Sequence, residues 1–590
     1  MTRITRFSLA AAIAASLLAV SPSLFEPFVI LKLGLLGAAL AFVWIGMIRT
    51  PLRPAALDLP LAALWAVMLA SAAVSTDWPV TVFGRYPQLF YGLLPLGLCT
   101  ACYFAVAATS NEGAADELLG AALAAAIPVS LYGVAQRFGM DPILKIPLPV
   151  GQRVFSTIGH PAFLGACLVP LAPLALHWAL KKRSALGWIS GAVMAAALLL
   201  TLSRGAWISA AVAASFYLWA TGRLPRLSAR HWGALAAAAL LILAVFEARY
   251  SKFKGDEMRW EIYRSTWPML RSHPLLGWGP DNFISAFRAN KSDAFLRATR
   301  RALDAHPNGH NDLIQAAVTL GGLGLLAYAW LLWTLGARLA RRMARPGGDG
   351  LDAAIAAAFL GLFVQAKVNP IPLTALVLAA ILAGLASRQT ERPPLKPLAG
   401  GVLCLLASAF CAANAAVWMR FYSADAEFLR GTRLTSGKTL ADPGYMDGVN
   451  ALRRATELNP WVIDYSRQRL DVIFRVAGQV SPQQGRQLVE KALDITTADE
   501  KLHPGNASTH EMRATALELL KRFGVDRLPE ALAETKSASE QDPTALFTMQ
   551  RRMEIARALG DKAEFDRTLA DYRRVIALTG ENPLWEPLLK

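Results

Sequence analysis

Residues 306–335 read H-P-N-G-H-N-D-L-I-Q-A-A-V-T-L-G-G-L-G-L-L-A-Y-A-W-L-L-W-T-L. A polar opening with two histidines runs directly into an apolar stretch long enough to cross a bilayer. Upstream lies a polar segment of about sixty residues. It begins near residue 248, carries S-K-F-K-G-D-E-M-R-W-E-I-Y-R at 251–264 and H-P-L-L-G-W-G-P-D-N-F at 273–283, and ends at the histidines. Ionisable side chains at a membrane boundary are costly to place and mark functional sites by default. The rest of the chain is read outward from this junction.

The 590 residues are 54% hydrophobic and only 17% charged, where a soluble chain carries about a quarter charged residues. Besides residues 7–20, apolar runs of spanning or near-spanning length lie at 27–48, 59–76, 88–108, 115–136, 161–180, 185–202, 205–221, 232–247, 311–335, 351–366, 369–387 and 398–419. Helices are the state that satisfies their backbone in lipid. The expected fold is therefore all-α: a polytopic bundle of about 12–13 transmembrane helices. Met1–Arg6 is basic and 7–20 apolar, which fits a signal peptide or a retained first helix; the retained helix is favoured, and both place residue 21 outside.

Basic residues set the orientation. Alternate loops hold Arg49 and Arg53; Lys181, Lys182 and Arg183; Arg223, Arg226 and Arg230; Arg338, Arg341, Arg342 and Arg345; Arg388, Arg392 and Lys396. The intervening loops hold Arg85; Arg137, Lys145 and Arg153; Arg204; Lys367. The N-terminus is thus expected inside, with the 248–309 loop and residues 420–590 outside. The net charge of +17 is largely this anchoring charge, so nucleic acid is not an expected partner. All five cysteines fall in apolar runs and read as buried thiols, without a disulfide framework.

The division that follows is residues 1–247 and 311–419 as two parts of the membrane bundle, 248–310 as an external catalytic loop, and 420–590 as a helical-repeat domain. In the last, A-T-E-L-N-P ends at Pro460, A-S-E-Q-D-P at Pro543 and A-L-T-G-E-N-P at Pro583, with a looser copy at Pro504. Alanine packing between paired helices and a terminating proline is the logic of a tetratricopeptide-like solenoid. Such a surface either binds a protein partner or packs on the parent domain.

Arg204, at a tight turn between two helices, fits either a snorkelling residue or an anion contact. Arg259, beside Glu257 and Glu261, fits a solvated ion-paired face or a substrate contact, and Arg153 precedes another membrane entry. His310 sits where a helix begins; that end disfavours imidazolium, so it reads as a capping residue or as a neutral general base. His306, four residues earlier, raises a metal pair, against which Pro307, Gly309 and the lack of a carboxylate cluster argue. No metal site is expected, and no cofactor signature such as a P-loop is present. Together, external arginines and a neutral histidine suit a lipid-linked diphosphate substrate: guanidiniums for the leaving diphosphate, the histidine for an acceptor hydroxyl.

Six stretches, in order, resemble the O-antigen ligase and polymerase superfamily of bacterial membrane glycosyltransferases. They are S-T-D-W-P-V-T-V-F-G-R-Y from Ser75, R-V-F-S-T-I-G-H-P-A-F-L-G-A from Arg153, T-L-S-R-G-A-W from Thr201, R-W-E-I-Y from Arg259, H-P-L-L-G-W-G-P-D-N-F from His273 and H-N-D-L-I-Q-A-A-V-T-L-G-G-L-G from His310. The resemblance implies metal-independent transfer of a glycan from undecaprenyl diphosphate at the periplasmic face of the inner membrane. It implies catalytic roles for His310, Arg204 and Arg259, with Arg153, Asn311 and His306 as substrate-binding candidates. His160 and Ala162 stand where the family more often reads G-N-P-N. The acceptor is a glycolipid such as lipid A core in a ligase, a lipid-linked glycan in a polymerase, or a protein hydroxyl. A non-enzymatic lipid-glycan transporter is the alternative of another class.

Overall fold

The computed structural model describes every residue except 1–2, 110–111, 150–151, 224–254, 304, 346–349, 388–392 and 582–590. Among the described residues it is all-helical, with no strand. The apolar run 232–247, the loop start at 248–254, Arg226, Arg230, Arg388, Arg392 and Pro583 lie outside them, as does the side chain of Glu257.

Every other apolar run is a helix, with the short α4 (Trp78–Phe83) added between two of them: α1 (Arg3–Leu18), α2 (Ile30–Gly46), α3 (Asp58–Ala73), α4, α5 (Leu93–Thr109), α6 (Glu112–Arg137), α7 (Pro161–Leu180), α8 (Ala185–Leu200) and α9 (Arg204–Ala220). The loop supplies α10 (Gly255–Ser272), α11 (Phe283–Ala289) and α12 (Asp293–Thr299); α13 (Asp312–Met343), α14 (Leu351–Ala366), α15 (Leu373–Ala386) and α16 (Pro397–Thr435) follow. Helices at 113–137, 161–180, 312–343 and 397–435 are long and apolar enough to cross a membrane individually. With the shorter apolar helices packed among them, this is a multi-pass membrane protein. The α1 helix buries Leu9, Ile13 and Leu17 against the bundle.

The basic loops gather at one end of the bundle. There Arg342 pairs with Asp352 at 2.7 Å, Lys182 with Asp116, and Leu395 N–H donates to Leu52 O at 2.8 Å. The candidate residues gather at the other end.

The α13 run expected as one helix is broken at Gly321 (φ 69°, ψ −168°). A Cβ at Gly321 would lie 2.2 Å from Leu275 O. The segment 274–279 crosses the break: Pro274 O accepts from Gly322 N–H (2.8 Å), Leu275 O from Leu323 N–H (3.2 Å), and Trp278 and Gly279 N–H donate to Val318 O and Thr319 O (both 3.0 Å). Backbone groups freed by the kink are thus satisfied by another strand of chain, the condition for irregular backbone near a membrane. The outer piece, 312–320, stands with the site. The remainder, Gly322–Met343, is about 33 Å long at 1.5 Å per residue, enough for a crossing on its own.

The C-terminal half of α16 pairs with α17 (Tyr445–Leu458). The stack continues through α18 (Ile463–Ala477), α19 (Pro482–Leu502), α20 (Ala507–Arg522), α21 (Leu528–Gln541), α22 (Leu546–Leu559) and α23 (Lys562–Thr579). Pro460, Pro504 and Pro543 each stand two residues past a helix end, after α17, α19 and α21. Each proline forbids continuation of the helix it follows. The stack folds back on the loops that precede α4 and α12: His503 Nδ1 lies 2.9 Å from Asp77 Oδ1 with both side chains buried, and Lys291 pairs with Asp542 at 3.0 Å. Asp425 accepts from Tyr86 (2.6 Å), Tyr465 (2.7 Å) and Glu26 N–H (2.8 Å), tying three segments to α16.

Candidate active site

His310 lies one residue outside the helix rather than in its first turn. Asn311 is the N-cap of α13, its Oδ1 accepting from Leu313 N–H (3.0 Å) and Ile314 N–H (3.4 Å), and its amide reaches the Tyr263 hydroxyl. Asn308 Oδ1 accepts from His310 N–H at 3.2 Å, and Gln315 Oε1 accepts from Gly309 N–H at 2.9 Å. His310 itself is left-handed (φ 49°). Gln152 (φ 54°), beside Arg153, and Leu202 (φ 49°), two residues before Arg204, are left-handed too. Non-glycine residues hold that conformation only where the surroundings enforce it, and such positions concentrate at functional sites.

The hydrogen-bond network assigns the protons. His306 Nε2 lies 2.9 Å from the Met258 sulfur, which accepts but cannot donate. With its proton on Nε2, His306 accepts at Nδ1 from His310 Nε2–H across 3.3 Å. The neutral His310 is left with an unprotonated Nδ1 that is buried and has no hydrogen-bond partner among the described residues. Burial first, then His306, Arg259 and His160, push the His310 pKa down to about 3. Desolvation is the largest of these causes and keeps the ring neutral.

His306 is held in an aromatic wall, edge-on to Phe287 (6.3 Å), Phe295 (5.9 Å) and His310 (5.3 Å). Two loop residues that argue against a helical pair still bring the rings together, because the turn at 307–309 folds one back on the other.

The arginines approach from three elements. Arg259 on α10 is half-buried and acts electrostatically on His310, Arg153 and Tyr263. Arg153 Nε donates to Thr201 O at 2.9 Å, which anchors it three residues before Arg204. Burial and Arg259 both lower the Arg153 pKa. Arg204 begins α9, and Gly205 beside it abuts Val368 and Asn369, 2.7 and 3.1 Å from a built Cβ. The end of α14 and the loop after it, residues 365–371, are the hub: Gln365 Nε2 donates to Ala162 O (3.4 Å), Tyr263 OH to Lys367 O (3.5 Å) and Tyr91 OH to Ile371 O (3.0 Å).

Four contributors were not singled out as site residues by sequence: His160, Tyr263, Met258 and the Asp312–Lys367 pair. Lys367 bonds Asp312 Oδ1, whose other oxygen accepts from Tyr328 OH at 2.8 Å. The signal for Lys367 was its place in a charge-poor loop. Asp312→Asn is expected to lower stability by roughly 2 kcal/mol, because Lys367 loses its counter-charge in a mostly enclosed setting. Adding Lys367→Met should restore most of the loss, a coupling that a double-mutant cycle on thermal unfolding in detergent measures.

A neutral imidazole with a buried, unprotonated nitrogen and the Arg259 guanidinium within electrostatic reach is suited to take a proton beside an anion. Residues 189–329 match the family model described as O-antigen ligase. The matched stretch contains Arg204, Arg259, His306, His310 and Asn311, but not Arg153 or His160. Among curated proteins none matches the chain.

Proposed function

We propose that this chain, whose residues 189–329 place it in the O-antigen ligase and polymerase superfamily of membrane glycosyltransferases, moves a glycan from an undecaprenyl-diphosphate donor to an acceptor hydroxyl at the periplasmic face of the bacterial inner membrane. The observation that carries this reading is the buried Nδ1 of His310, unpartnered among the described residues and within electrostatic reach of Arg259.

The acceptor hydroxyl gives its proton to His310 Nδ1 as its oxygen attacks the anomeric carbon. The bond from that carbon to the diphosphate breaks, and undecaprenyl diphosphate leaves with the electron pair. Arg259, with Arg153 and Arg204, balances the charge gathering on the leaving oxygens. His306 holds the His310 ring and its tautomer. Asn311 fixes the start of α13, and with it the position of His310. No step calls on a metal.

The ligase type, with lipid A core or a similar glycolipid as acceptor, is the reading advanced. The stack from α16 to α23 acts as a tetratricopeptide-like platform beside the site that a protein partner or acceptor could engage. The experiment incubates purified protein with one undecaprenyl-diphosphate glycan and sizes the products on a gel. Transfer only after lipid A core is added supports the ligase. Elongation without another acceptor makes the protein a polymerase, and transfer only to a peptide makes it a protein O-oligosaccharyltransferase. Lipid-glycan movement across proteoliposomes without transfer, undiminished in His310→Ala, would replace the enzyme with a transporter.

A further inference from the structure

His160 lies close to the site on α7, an element that the mechanism above leaves unused. It is the N-cap of α7, with extended backbone (φ −148°, ψ 139°) and Pro161 following at the first helical position. Its Nδ1 accepts from Ala162 N–H at 3.2 Å. A ring nitrogen that accepts an N–H carries no proton, so the neutral ring holds its proton on Nε2 and presents a donor there. The ring is braced by Phe163 at 4.7 Å, which packs on Phe90 at 5.2 Å. The turn leading to it is fixed as well: Gly159 is left-handed (φ 90°), and a Cβ there would meet Phe28 at 2.6 Å. His160 is nonetheless accessible, and it lies within electrostatic reach of both Arg153 and His310.

We infer that His160 is a donor-substrate contact, its Nε2–H donating to a phosphoryl oxygen of the lipid-linked diphosphate beside Arg153. The inference rests on the proposed function. Two neighbouring groups that only donate, an Nε2–H and a guanidinium, complement oxygens that only accept, as those of a diphosphate do; a sugar hydroxyl would leave its own proton unmatched. Burial and the neighbouring Arg153 push the His160 pKa down to about 4, so this donor persists at neutral pH without adding a positive charge next to Arg153.

The test measures direct binding of an undecaprenyl-diphosphate glycan to full-length protein in detergent, alongside donor KM and kcat. His160→Ser keeps a capping oxygen for α7 but has nothing that reaches the substrate. His160→Asn supplies both an acceptor for Ala162 N–H and an amide donor. The serine variant is expected to weaken donor binding and raise KM by about tenfold or more, with kcat within about threefold and thermal unfolding unchanged. The asparagine variant should bind within about threefold of wild type. A serine variant that binds donor like wild type, or an asparagine variant that fails to restore binding, overturns the inference and leaves the transferase reading standing. Wild-type protein that binds no donor overturns both.

Discussion

His310→Ala is expected to lower glycan transfer by about 10²–10⁴-fold, the range a positioned general base contributes, while the protein still folds and binds the donor. The side chain makes one hydrogen bond, to His306, and its backbone position is held by Asn308 and by the Asn311 cap, so truncation removes the base without removing the turn. The pH profile supplies a second readout. The reacting form is the neutral ring, and its pKa in the free enzyme is held at about 3. On that basis kcat/KM should stay flat on the acid side well below the ordinary histidine range near 6.5. A bound diphosphate adds negative charge opposite the ring and pulls the pKa upward, so the acid limb of kcat should lie at higher pH than that of kcat/KM. Gel quantification of transfer across pH, in wild type and His310→Ala, tests both. An alanine variant with more than about a tenth of wild-type kcat would remove His310 from the role of base.

The membrane architecture was legible because lipid imposes a simple rule: an apolar run of sufficient length has only the helix to satisfy its backbone. Each described run is helical for that reason. The break at Gly321 was not legible, since hydropathy cannot register a kink. The pairing that stabilises it comes from residues 274–279, more than forty positions away, and the meaning of H-P-L-L-G-W-G-P emerges only when that segment lies across α13. The site was half legible. Arg153, Arg204 and Arg259 stood out as cations where the charge bias disfavours them, and His310 as an imidazole where a helix begins. The partnership of His306 with His310 did not, because i,i+4 spacing is read through a helix and the rings meet instead through a turn. His160 was visible only as a departure from a pattern; its fixed tautomer follows from a cap geometry that no spacing encodes.

Arg259 separates charge from geometry. It sits on α10 next to Met258, which holds His306, and one turn before Tyr263, which receives the Asn311 amide; Ile262 and Met269 anchor the helix with no exposed surface. Arg259→Ala removes a cation that opposes charge on the leaving diphosphate, and a loss of about 10²–10³-fold in kcat is expected from one such contact. It also removes a positive charge that holds the His310 pKa down, so the acid limb of kcat/KM should move to higher pH. Arg259→Lys keeps the charge but not the planar fork that meets phosphoryl oxygens in pairs. The lysine variant should therefore keep the wild-type acid limb and still lose about tenfold or more in kcat. If both variants shift the limb, lysine does not place its charge where arginine does. If alanine retains wild-type kcat, Arg259 contributes only to the α10 surface, and the diphosphate must be held by Arg153 and Arg204 alone.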